Sequence, residues 1–172
     1  MEDVLIFCNT LETVIELVDK VKALLDETDF SFQPENKNEI MLNNVSFNKK
    51  MKFIGNYFKK GRYSIWVGYY EKYNCFCISF AFNKNDEVNL LEALENENIP
   101  YIAEVDKCYW YTVPLSFLDS NATSLQNINI EINNSQIFIN RNYQENEKSK
   151  QDILSNAEKI INIIKNLFSA GK

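Results

Sequence analysis

The chain has 172 residues, 45% hydrophobic, 13% aromatic and 24% charged, with 18 basic side chains against 24 acids for a formal net charge of −6. That length amounts to one domain able to bury roughly 70% of its unfolded surface, and the balance excludes a disordered chain and speaks against the basic footprint usual for nucleic-acid binders. Histidine is absent, which removes imidazole as general base, metal ligand or triad member.

The opening residues, Met1 to Cys8, place Glu2 and Asp3 where a secretory signal needs positive charge. No export is expected from them. The longest uncharged apolar stretches, residues 73–83 and 108–118, fall short of the roughly 18 apolar residues of a membrane helix, and four cysteines outside any small secreted framework fit a reducing cytoplasm.

The first element is a helix over residues 10–27. Leu11, Val14, Ile15, Val18, Val21 and Leu25 recur at helical spacing, with Asn9 as N-cap and Glu12 three residues on. Residues 30–38, with Pro34 and a polar cluster, read as a loop, and strands follow at residues 40–47 and 51–57 before Gly61 breaks the pattern. No acid occurs between Met41 and Tyr70, whereas Lys49, Lys50, Lys52, Lys59, Lys60 and Arg62 do, so the rest of the chain is more acidic than its net charge conveys.

The centre reads as a hairpin of residues 62–70 and 73–82. Tyr63, Ile65, Val67 and Tyr69 alternate with Ser64, Trp66, Gly68 and Tyr70, and Phe76, Ile78, Phe80 and Phe82 with Cys75, Cys77, Ser79 and Ala81. Both faces are largely apolar, as in a sheet interior with cover on each side. Asn85, Asp86 and Glu87 open a short helix that runs through Val88, Leu91 and Leu94 until Pro100 stops it. Residues 101–105 and 108–113 form a second hairpin turning at Asp106 and Lys107, and residues 126–132 and 136–141 a third turning at Asn133 and Asn134. Ser149 with Asp152 starts a last helix along Ile153, Leu154, Ala157, Ile160, Ile161, Ile164, Leu167 and Phe168, whose stripe docks on the sheet or on another subunit of a homo-oligomer. The expected fold is α+β, a single domain over residues 1–172 with an antiparallel or mixed sheet of hairpins packed by the N-terminal and C-terminal helices.

Chemistry is sparse along this frame. Cys75 and Cys77 share a strand face, but with Cys8 and Cys108 they lack the paired-knuckle spacing of a structural zinc site, so packing is the reading and no metal or cofactor is expected. Glu104, Asp106 and Lys107 approach the acid-spacer-lysine pattern of metal-dependent nucleases in the wrong order, leaving a divergent carboxylate-based hydrolase as a distant alternative. Gly55 to Arg62 lacks the Gly-Lys-Ser/Thr ending of a phosphate loop.

Two binding surfaces remain. Glu12, Glu16 and Asp19 with Asp26 and Glu27 on the first helix, and Asp86, Glu87 and Glu92 with Glu95 and Glu97 on the middle one, form acidic faces suited to a basic protein partner. Lys59, Lys60, Arg62 and Trp66 would instead stack on and neutralise single-stranded nucleic acid or a nucleotide. Small size, acidity and the lack of a catalytic set make the chain similar in type, though not in motif residues, to immunity proteins, antitoxins and phage-coded inhibitors. The expectation is therefore a non-enzymatic cytoplasmic protein of bacterial or phage kind that neutralises a basic effector such as a toxin or nuclease.

Overall fold

The computed structural model of the chain describes residues 2–33, 40–42, 45–48, 52–73, 75–82, 87–104, 109–115, 127–132, 135–140 and 147–169. Helix α1 (Glu2–Leu24) leads into β1 (Ser31–Gln33), β2 (Ile40–Leu42), β3 (Val45–Asn48), β4 (Phe53–Lys60) and β5 (Tyr63–Tyr70). A single 3-10 turn (Glu71–Tyr73) precedes β6 (Cys75–Phe82), followed by α2 (Glu87–Asn96), β7 (Ile102–Glu104) and β8 (Tyr109–Pro114). The chain then forms β9 (Asn127–Ile132), β10 (Ser135–Asn140) and α3 (Glu147–Ser169).

Seven strands run in the order β2-β3-β4-β5-β6-β8-β7, every pair antiparallel, and β1 joins beside β4. This is the expected α+β arrangement, with β5 and β6 adjacent near the middle. Among the described strands β9 and β10 pair with each other alone, with Ile132 opposite Ser135.

Alternation sorts the side chains onto two faces. Ile54, Phe58, Ile65, Val67, Tyr69, Phe76, Ile78, Phe80 and Val113 are buried on one face, in the same core as Val14, Leu17, Val18 and Val21 of α1 and Ile153, Ala157, Ile160, Ile161 and Ile164 of α3. Each large apolar side chain buried there contributes roughly 1.5–3 kcal/mol. α1 packs over β4 and β5, and α3 packs between α1 and α2, which adds Leu90 and Leu94. α2 ends where Asn98 takes φ 56°, with Ile99 N–H donating to Leu94 O at 2.9 Å and Asn98 N–H to Glu95 O at 3.0 Å. These bonds satisfy the last carbonyls, and Pro100 follows.

The opposite face holds a second cluster, Phe53, Tyr70, Cys75, Cys77 and Trp110, with Trp66, Tyr73 and Ala81 half-buried against it. At its floor Gly55 and Gly68 stand in register across β4 and β5. A Cβ on Gly55 would lie 2.0 Å from Val67 O, and one on Gly68 1.9 Å from Ile54 O, so this close approach of two backbones requires glycine on both strands. The Phe53 ring lies over Gly55, its Cε1 2.8 Å from that Cβ position.

Four local expectations are corrected. α1 begins at Glu2, so Asn9 lies inside the helix rather than capping it; nothing from Val4 to Cys8 breaks a helix, and each added residue gains a hydrogen bond. α3 begins at Glu147, two residues before Ser149. The expected loop at residues 30–38 contains β1, which β4 recruits through pairs Ser31–Lys59, Phe32–Phe58 and Gln33–Tyr57. The single strand expected at residues 40–47 is two, β2 and β3, folded back on each other with Leu42 opposite Val45. The turns expected at Asp106–Lys107 and Asn133–Asn134 lie outside the described residues.

Candidate functional site

Helices supply the acids. α1 carries five acids against two lysines, α2 three acids and no base, and α3 three acids against four lysines. Because the helices cover one side of the sheet, these charges lie on that side of the molecule. Asp19, Asp26, Glu27, Glu92, Glu97 and Asp152 are exposed there, and Glu95 is exposed while accepting a 2.9 Å hydrogen bond from the Tyr101 hydroxyl.

The predicted acidic residues divide by role. Glu12 and Glu16, one helical turn apart on α1, both face Lys150 of α3, at 3.6 and 3.1 Å. Lys150 is 16% exposed at its side chain, and its hydrogen bond to Glu16 outweighs burial and holds the amine above the usual lysine range. Lys20 and Glu158 make a second tie between the same helices at 3.3 Å. Glu12 and Glu16 therefore join α1 to α3, whereas Asp19 and Glu92 make no ion pair with a described residue. Asp86 and the Glu87 side chain lie outside the described residues. The Lys150 contact was not legible in the sequence, because a separation of that length along the chain leaves no pattern.

The basic segment does not form one patch. Gly61, with φ 57°, and Arg62 form a two-residue turn between β4 and β5, so Lys59 and Lys60 fall on opposite faces of β4. Lys60 sits on the helix side, 3.6 Å from Asp29 and 5.9 Å from the Phe30 ring centroid. Lys52, seven residues before Lys59 and so about 23 Å away along an extended strand, pairs with Glu71 at 3.7 Å. Lys59 and Arg62 are exposed and have no carboxylate partner among the described residues. Lys49 and Lys50 lie outside them.

Trp66 is half-buried among other rings. It stacks on Tyr57 at 4.4 Å between centroids, meets Phe53 edge-on at 5.8 Å and tilts against Trp110 at 5.6 Å. This cross-strand stack follows from β4–β5 register, which places Tyr57 opposite Trp66.

Below the rings lies a buried polar chain. Trp110 Nε1–H donates to Thr112 Oγ1 at 3.0 Å, Thr112 and Ser79 share a 2.8 Å hydroxyl contact, and Cys77 Sγ lies 3.7 Å from Ser79 Oγ. Each group satisfies its neighbour, and none of these four side chains is a base that could activate a hydroxyl. Cys75 and Cys77 are buried free thiols, and burial, reinforced by Cys75, pushes the Cys77 thiol well above the usual range. A thiol held neutral is a poor nucleophile and a poor metal ligand.

No group of three metal-ligating side chains occurs among the described residues. Glu104 closes edge strand β7 opposite Trp110, while its side chain, Asp106 and Lys107 lie outside the described set. No described helix is long and apolar enough to cross a membrane. No protein-family model, curated protein or solved structure matches the chain.

Proposed function

We propose that this is a non-enzymatic binding protein of the immunity, antitoxin or inhibitor type, which lays the acidic outer surface of its helices over a basic effector protein such as a toxin or nuclease. The carrying observation is the distribution of charge: α1 and α2 flank α3 on one side of the sheet and leave exposed acids, Asp19 and Glu92 among them, without a cation partner in the described residues. Such a field steers a cationic partner and raises its association rate. The nucleic-acid alternative is less well supported, because Lys59 and Lys60 are divided between two faces and Trp66 is packed among three rings.

The test compares the wild type, Asp19→Asn with Glu92→Gln, and Lys59→Ala with Arg62→Ala in affinity capture from the cells that make the protein. A basic protein should be retained stoichiometrically by the wild type and the cation variant and lost by the acid variant. Its association should slow with added salt, since exposed charges are screened beyond about 8–10 Å. Retention of nucleic acid that depends on the cations would overturn the proposal.

A further inference from the structure

We propose that the open end of the aromatic sheet face, around Tyr57, Trp66, Lys59 and Arg62, docks an acidic segment of a second protein. This surface lies across the sheet from the acidic helices, so the inference stands independently of what those helices bind.

Three observations carry it. First, the aromatic cluster is graded in depth: Phe53, Tyr70 and Trp110 are buried, whereas Tyr57 and Trp66 are half-buried and reach solvent near the β4–β5 turn. Second, strand alternation puts Lys59 on the same face as Tyr57, two residues further along β4, and directly opposite Ser64, which precedes Trp66 by two on β5. Arg62 stands in the turn beside them. Third, the other cations of this hairpin are neutralised within the fold, Lys52 by Glu71 and Lys60 by Asp29, while Lys59 and Arg62 are exposed without a carboxylate among the described residues. On a chain of net charge −6, these two exposed positive charges beside two half-buried rings mark a local site of opposite sign.

The chemistry of the occupant follows from how few cations there are. Two cations contact at most about two phosphates, and each contact contributes a slope of only about 0.7 in log affinity against log salt on a single strand. The remaining phosphates of a strand would lie uncompensated against a protein of net charge −6. Base stacking is also hindered, since one face of Trp66 is covered by Tyr57 at 4.4 Å and two further rings abut it. A protein segment needs only one or two carboxylates. Arg62 can take one through its planar fork and Lys59 another, while an apolar neighbour packs on Trp66 and Tyr57. Trp, Tyr and Arg together are the residue types that dominate protein-binding hot spots.

The experiment places the photo-crosslinker p-benzoylphenylalanine at Ser64 in the full chain, in the cells that make the protein, and sequences the crosslinked peptide by mass spectrometry. The same is done in a Lys59→Glu, Arg62→Glu background and in an Asp19→Asn, Glu92→Gln background, with urea midpoints confirming that each variant folds. The expected result is one protein adduct through a segment of net negative charge, reduced at least about tenfold by charge reversal and unchanged by loss of the helix acids. An adduct through a basic segment, to nucleic acid or to a second copy of this chain, or the absence of any adduct sensitive to charge reversal, would overturn the proposal.

Discussion

Replacing Gly68 by alanine tests whether the close approach of β4 and β5 organises the sheet. The new Cβ would lie 1.9 Å from Ile54 O and 2.7 Å from Gly55 Cα, where ordinary contact begins at 3.4 Å. Relief requires the strands to part locally by about 1.5 Å, enough to break a hydrogen bond of ordinary length. Two ladder bonds lost at about 1 kcal/mol each, with buried donors or acceptors left unpaired, put the cost at about 3–5 kcal/mol. A urea slope of about 2 kcal/mol/M turns that into a midpoint lowered by about 1.5–2.5 M. Gly61→Ala is the control, because its φ is also positive, at 57°, but nothing lies within 4 Å of its Cβ position. Its cost should be near the 1–2 kcal/mol of a left-handed alanine alone. Urea unfolding followed by tryptophan fluorescence measures both variants. Equal midpoint shifts would refute the argument from close approach.

Lys150→Met should destabilise the fold by about 1 kcal/mol, since a mostly buried cation shared by two carboxylates is removed and Glu16 is left uncompensated. The sign of its pH dependence is fixed: Lys150 has a folded pKa above its ordinary 10.5, so its contribution is complete below that value and is lost as pH rises through the raised one. Unfolding measured in both chains should therefore show a constant difference near neutrality that shrinks at strongly alkaline pH; a difference that grows there would contradict the ion pair. Cys77, neutral and buried, should resist iodoacetamide in the folded chain and react in urea, as peptide mass mapping would show. Rapid labelling without denaturant would contradict the burial of this face.

Elements that carry their own period were legible in the sequence. Ile65, Val67, Ile78 and Phe80 alternate strictly, and these strands pair as expected; α2 forms ahead of Pro100 as expected, but its buried stripe is Leu90 and Leu94, with Leu91 only half-buried. Elements that depend on a remote partner were not. β1 is three residues long and has no period of its own; it is a strand because β4 presents a free edge beyond the reach of β3. β2 and β3 are three and four residues long, too short for alternation to mark a boundary between them.

Charge shows the same division between local and remote information more sharply. Six cations without an intervening acid form a block in the sequence, but a strand sends consecutive residues to opposite faces, and the described cations of the block meet different surroundings. Lys60 finds Asp29 near the end of α1, Lys52 finds Glu71 at the far end of β5, and Lys59 and Arg62 remain exposed beside Trp66. The acids are redistributed in the same way, since Lys150 draws Glu12 and Glu16 into the joint between α1 and α3 and leaves Asp19 and Glu92 facing outward. What a partner meets is therefore the charge left over after the fold has made its own pairs. For this chain that remainder is acidic on the helical side and positive at one end of the aromatic face, two surfaces of opposite sign separated by the sheet.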